Sequence, residues 1–211
     1  MNNFIGHHSN SPNDLALSPG TVWFTDPPYA ALLGNASAAE LRPIVYHFNL
    51  KTKVLTPVDE DIQMPNGIAT SVDHKTLYVA DSGALCQPIG LPTVPDRRHS
   101  GYAYDIVGRG RVCTKRLFYI SDLWVPDGLT VSRNGNLYSA AGRFVDVISP
   151  EGLLLGKISF PGVIANVEFA GKKYNEVWGV GLGGVFRMRI KDQGVDLGKR
   201  SGGMFRIQKW E

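Results

Sequence analysis

Cysteine is nearly absent from this chain: Cys86 and Cys113 are the only two in 211 residues, so no disulfide framework specifies the fold. The pair flanks a long insertion between strands, where hairpin ends lie close together; a bridge is geometrically open, and two unpaired thiols are the simpler expectation. Long hydrophobic runs are also missing, and none approaches the roughly 20 residues of a membrane-spanning helix. The first residues, Met1-Asn2-Asn3-Phe4-Ile5-Gly6, lack the charged and apolar regions of a secretory signal. As written, the chain is expected to be cytoplasmic, with secretion of a full-length form left open; the sequon Asn35-Ala36-Ser37 matters only after secretion. Charge of one sign is lacking too: 22 Lys and Arg against 19 Asp and Glu leave +3, scattered except for Arg109, Arg111, Lys115 and Arg116. Neither nucleic acid nor membrane is an expected partner.

Helical periodicity does not persist anywhere. Residues 30–41 are Ala-rich but contain Gly34 and Asn35 and end against Pro43, which reads as a loop with one helical turn. Two nucleotide- and serine-based chemistries lose their signatures as well. Gly181-Leu182-Gly183-Gly184 lies between strands with no helix after it, and Ser11 is not set in a nucleophile elbow.

What is present is repetition. Ser11-Pro12-Asn13-Asp14-Leu15, Met64-Pro65-Asn66-Gly67-Ile68, Val125-Pro126-Asp127-Gly128-Leu129 and, more loosely, Ile164-Ala165-Asn166-Val167-Glu168 share one pattern. In each, Asn or Asp precedes an alternating apolar run, then a turn, then a second run containing Trp or Tyr. That pattern predicts two antiparallel strands and their hairpin. The turns fall at Ser18-Pro19-Gly20, Asp73-His74-Lys75, Arg133-Asn134-Gly135-Asn136 and Gly171-Lys172-Lys173, where Gly, Asn and Asp permit reversal. Outer strands follow at residues 44–48, 53–55, 102–106, 117–119, 144–148, 153–155 and 185–188, giving about four strands per unit. Four-stranded units repeating every ~40–60 residues predict an all-β fold, a β-propeller, with about four blades in this chain. Residues 1–211 are expected to form a single propeller domain. Trp23, Trp124 and Trp178 are assigned by default to core packing, and His7-His8 to a solvated loop.

In a propeller, the loops entering the innermost strands converge near the axis. Asn13, Asn66 and Asp127 hold the equivalent position in three repeats, two amide carbonyls and one carboxylate. An all-oxygen set suits a hard cation such as Ca²⁺ and suits Zn²⁺ poorly. Each residue taken alone is equally a turn former after Pro; their shared phase is what points to a site. Asn166, without the preceding Pro or following Gly, reads as a structural echo.

These repeats, with Asn10, Trp23-Phe24-Thr25-Asp26-Pro27-Pro28-Tyr29 and Leu77-Tyr78-Val79-Ala80-Asp81-Ser82, resemble the gluconolactonase, regucalcin and luciferin-regenerating-enzyme family, and its gluconolactonase-like branch most. The resemblance implies a six-bladed propeller that binds a divalent cation in the axial channel, Ca²⁺ foremost with Mg²⁺, Mn²⁺ and Zn²⁺ open, and that hydrolyses a small-molecule lactone. It maps metal ligation onto Asn13, Asn66 and Asp127, the acid/base role onto Asp127, and substrate binding onto Asp26 and Asn10. The family's fourth ligand, a Glu from an earlier blade, has no counterpart here, and about two blades are expected to be missing from the N-terminal side. Four blades shaped for a sixfold ring would form an open arc, whose edges invite self-association. A catalytically inactive propeller, binding Ca²⁺ weakly or serving as a protein-interaction module, is the alternative expectation. Residues 83–101 read either as a lid or as a plain surface loop.

Overall fold

The computed structural model describes residues 3–85, 98–108 and 110–196. A short hairpin, β1 (Asn3–Phe4) and β2 (His7–His8), comes first, and His7 and His8 are exposed on it. Four antiparallel sheets follow in chain order. The first is β3 (Leu15–Ser18), β4 (Thr21–Asp26), β5 (Ile44–Asn49) and β6 (Leu55–Asp59). The second is β7 (Pro65–Thr70), β8 (Thr76–Asp81), β9 (Ser100–Val107) and β10 (Arg111–Ile120). The third is β11 (Leu129–Val131), β12 (Leu137–Ala141), β13 (Phe144–Ile148) and β14 (Leu154–Ser159). The last has three strands, β15 (Val163–Ala170), β16 (Glu176–Leu182) and β17 (Gly184–Arg189). Each sheet is a meander, and together they are four blades of a β-propeller.

Alternation explains the strands and turn chemistry explains their joints. Ser18 pairs with Thr21 across Pro19-Gly20, and Gly20 has φ 73°, a left-handed conformation that costs Gly little. A single α-helical turn, α1 (Tyr29–Leu32), overlaps the start of the 30–41 segment expected to hold it, and a 3-10 turn spans Gly83–Leu85. Two outer strands begin later than their apolar residues suggest, at Leu55 and Leu154. Outer strands are partly or fully exposed over nearly all their length, so burial imposes little pattern on them.

The core lies between blades. Ala16, Trp23 and Val45 of the first blade pack with Ile68, Leu77 and Val79 of the second. Tyr78, Ala80 and Tyr119 meet Leu129, Leu137 and Ile148 of the third, and Tyr138, Ala140 and Val145 meet Ile164, Val167 and Phe169 of the fourth. A blade therefore buries its apolar face only against its neighbour. Trp23 is a core residue at 1% exposure, whereas Trp124 is 40% exposed and is not. Cys113 is exposed and unpaired among the described residues; Cys86 and most of the 83–101 insertion lie outside them. Among the described residues no helix is long and apolar enough to cross a membrane.

Inner strands approach one another very closely. A Cβ added to Gly67 would lie 2.0 Å from the Asp127 carbonyl oxygen of the next blade, and one on Gly128 would lie 2.2 Å from Asn166 Oδ1 of the blade after. Gly67→Ala must therefore push two backbones apart. We expect a loss of about 2–3 kcal/mol of stability, read from the urea midpoint; an unchanged midpoint would contradict the close approach.

Candidate active site

The segments leading into the inner strands are held by buried carboxylates. Asp26, at the end of β4, is fully buried and accepts the Asn10 N–H (2.9 Å) and the Ser11 N–H (2.7 Å). Asp81, at the end of β8, does the same for Gln63 (3.1 Å) and Met64 (3.0 Å), and also for Gly83. Such bonds satisfy backbone donors that no strand partner reaches. Asn10 adds its own side chain, which donates to the Asp26 and Arg42 carbonyls.

Each inner strand is then tied to the next blade. Thr25 Oγ1 donates to the Asn66 carbonyl (2.7 Å), Ser82 Oγ to the Pro126 carbonyl (2.5 Å), and the Gly128 N–H to the Ala165 carbonyl (2.9 Å). These three links fall on the repeated motif in successive blades, which is why the motif residues gather at one end of the inner strands.

Asn66 and Asp127 are brought together. Asn66 is buried, its Nδ2 donates to Tyr29 Oη (2.9 Å) and Ser82 Oγ (3.1 Å), and its side chain also hydrogen-bonds Asp127. Burial pushes the Asp127 carboxyl up to about 7, with the charge of Asp14 adding to the rise; Asn66 and the Gly128 N–H oppose it. Asp14 is itself pushed up to about 6 by burial and by the charge of Glu168, against hydrogen bonds from the Leu15 N–H (2.8 Å), the Ile68 N–H (3.2 Å) and Asn166. Asn13, one residue earlier, is exposed, and its N–H donates to the Thr25 carbonyl (2.9 Å).

Of the residues singled out in sequence, Asn66 and Asp127 come together; Asp14, Tyr29 and Glu168, not singled out, interact with them or with each other, and Asn166, read as a structural echo, hydrogen-bonds Asp14. A signal for Asp14 was present. It holds the repeat position taken by Gly67 and Gly128, whose Cβ direction leads into the next blade; a carboxylate there must reach the neighbouring inner strand, as Asp14 reaches Ile68. Tyr29 lies on a loop between β4 and β5 that carries no repeat, so no periodicity points to it.

The donor chemistry fits a hard divalent cation. Asn66 supplies an amide oxygen, Asp127 and Asp14 supply carboxylates, and both carboxyls are raised by burial and by a neighbouring carboxylate, a rise that a nearby cation would oppose. Among the described residues no three His, Cys, Asp or Glu side chains converge in metal-binding geometry, so a cation would depend on the amides as well as the carboxylates.

Residues 3–178 match the model of the SMP-30/Gluconolactonase/LRE-like region. The chain belongs to this family. It is 36% identical over 202 residues to the lactonohydrolase OryL of Aspergillus oryzae, covering 90% of this chain and 46% of that protein. It is 32% identical over 171 residues to the gluconolactonase of Zymomonas mobilis, covering 75% of this chain and 44% of the other. Among solved structures, a gluconolactonase from Xanthomonas campestris superposes with a TM-score of 0.75 at 28% identity, over 90% of this chain and 60% of that one. A regucalcin from Agrobacterium tumefaciens, described as calcium-binding, shares the fold with a TM-score of 0.69 at 18% identity, over 87% and 62%. The chain thus spans about half the length of the curated relatives it matches.

A carboxyl whose folded pKa lies above its unfolded value binds protons more readily when folded, so its contribution to stability falls as pH rises between the two values. For Asp127 that window runs from the ordinary 3.8 to about 7. In chelator, Asp127→Asn is expected to gain stability relative to the parent chain across this window, with no difference at pH 4 and the largest above pH 7. A difference independent of pH, measured as thermal midpoints, would contradict the raised value.

Proposed function

We propose that this chain carries the axial site of a divalent-cation-dependent lactone hydrolase. The observation that carries the reading is the Asn66–Asp127 pair at the inner strand ends, with a carboxyl near neutrality and oxygen donors around it. Support comes from the family and from relatives named lactonohydrolase and gluconolactonase.

Asn13, Asn66 and Asp127 are the residues we assign to the cation, with Asp14 beside them. Ca²⁺ suits this set best, because it accepts many oxygen ligands in flexible geometry; Mg²⁺ and Mn²⁺ are the next candidates and Zn²⁺ the last. When bound, the cation supplies positive charge that polarises the ester carbonyl. Asp127 accepts a proton from the attacking water and returns it to the leaving ring oxygen. Asn66 contributes an uncharged donor, so the site keeps positive charge for the developing oxyanion. Tyr29 and Ser82 fix the Asn66 amide by accepting its N–H groups. Asp26 and Asn10, expected at first to meet substrate, enter as the residues that hold the segment before Asn13 and Asp14.

The test is pH-monitored hydrolysis of a lactone panel by the purified chain, with Ca²⁺ and with chelator. Turnover is expected with Ca²⁺, lost on chelation, and reduced at least 100-fold in Asp127→Ala; full turnover in that variant would remove Asp127 from the chemistry. Tyr29→Phe withdraws one acceptor from Asn66 and is expected to weaken Ca²⁺ binding about fivefold, the equivalent of one hydrogen bond, as titrated calorimetrically. Unchanged affinity would dismiss Tyr29 as a support.

A second reading is favoured by one observation. Leu182 and Val185 in the last blade are 67% and 63% exposed, apolar surface suited to association. A chain that sediments as a dimer and turns over no lactone would establish it as an interaction module instead.

A further inference from the structure

The antiparallel meander places the start of each inner strand, the end of the second strand and the start of the third at one end of the blade. In the third blade Leu129 pairs with Ser139, Ala141 with Phe144, and Phe144 with Ser159. The loops joining second and third strands therefore all open on the same side as Asp127. They differ greatly in length. In the first two blades they run over residues 27–43 and 82–99, while in the third only Gly142 and Arg143 intervene, and in the fourth only Gly183.

Where these loops are short, an apolar pocket of about 270 Å³ opens between the third and fourth blades, lined by Leu123, Trp124, Ala141, Gly142, Phe144 and Val163, with Arg143 the one charged residue. The Arg143 guanidinium is turned to the Pro161 carbonyl (3.1 Å). Leu123 and Trp124 are 56% and 40% exposed, adjacent large apolar side chains on the segment leading to Asp127. The Trp124 ring lies over Gly142, where a Cβ would sit 3.0 Å from Trp124 Cγ.

This pocket lies beside the proposed site. Trp124 is three residues before Asp127, so their Cα atoms lie within about 11 Å. On the other wall, Ala141 follows Ala140, whose carbonyl accepts the Asp127 N–H (2.8 Å) and whose N–H donates to the Gly128 carbonyl (2.9 Å). Whole-ligand pockets commonly run to about 300–1,000 Å³, so a smaller apolar recess beside a polar centre fits a substituent better than an entire ligand.

We propose that the recess formed by Leu123, Trp124, Phe144 and Val163 is the acyl-side or ring-substituent subsite of this centre, selecting lactones that bear an alkyl or aryl group over polyhydroxylated sugar lactones. The inference rests on the lactone hydrolase reading above and names its substrate class. Apart from Arg143, which gives one of its N–H groups to the Pro161 carbonyl, the lining is almost wholly apolar, so the several hydroxyls of a sugar would find few partners there, and burying hydroxyls unpaired is costly.

The test compares kcat/KM for γ-lactones with substituents from methyl through octyl, and for gluconolactone, in the parent chain and in Leu123→Asp. The parent is expected to gain about fourfold per added methylene until the recess is full, and to prefer the alkyl lactones. Leu123→Asp is expected to flatten that series while leaving unsubstituted γ-butyrolactone unchanged. Val163→Thr, isosteric and polar, is expected to act in the same direction, so a folding defect in the first variant does not decide the matter. No chain-length dependence, or a gluconolactone preference in the parent, would overturn the subsite. Binding of 2-hexylcyclopentanone, which has no ester to hydrolyse, is followed in parallel by ligand-observed NMR. Binding lost in both variants would uphold the subsite even if no lactone were turned over and the hydrolase reading failed; absence of binding to the parent chain would sink it.

Discussion

The whole arrangement depends on inner strands standing too close together for a side chain between them. At Gly67 and Gly128 the neighbouring blade occupies the space of a Cβ, and three hydrogen bonds, from Thr25, Ser82 and Gly128, step from blade to blade at that level. Close approach does two things together. It lets apolar faces bury one another without voids, and it crowds the residues beside those glycines around the axis. The fold and the site are consequences of the same spacing.

Crowding also sets the electrostatics. Asp14 and Asp127 come from different blades, and burial raises both carboxyls, helped by the charge of Glu168 at Asp14 and by that of Asp14 at Asp127. Burial raises the Asp26 and Asp81 carboxyls as well, opposed in each by the backbone N–H groups it accepts. Buried carboxylates thus take two forms here. One kind holds the chain through its backbone donors; the other also feels the charge of a second carboxylate, Asp127 that of Asp14 and Asp14 that of Glu168.

How much of this was legible depended on repetition. Strands, hairpins and the Asn66 and Asp127 positions recur in phase, so a single chain reveals them. Asp14 breaks the phase where Gly67 and Gly128 keep it, and so was not singled out although its carboxylate bonds the next blade. The expected substrate residues Asp26 and Asn10 hold backbone instead, because a strand-end carboxylate looks the same in sequence whether it faces solvent or donors. Trp124 was assigned to a core by its residue type, whereas it lies half open on the loop that leads to Asp127. Outer strands were misplaced by a few residues, since half-exposed edges carry a weak pattern.

The unequal loops between second and third strands have a consequence for how such a protein changes over generations. Their ends are anchored, by Tyr29 and Ser82 to Asn66 and by Gly83 to Asp81, but a change of length beyond those anchors leaves the glycine spacing of the inner strands as it is. Inner strands are held by backbone geometry and tolerate almost no drift, while the rim is free to vary. A lineage built this way can exchange the molecules it accepts while inheriting its chemistry unaltered.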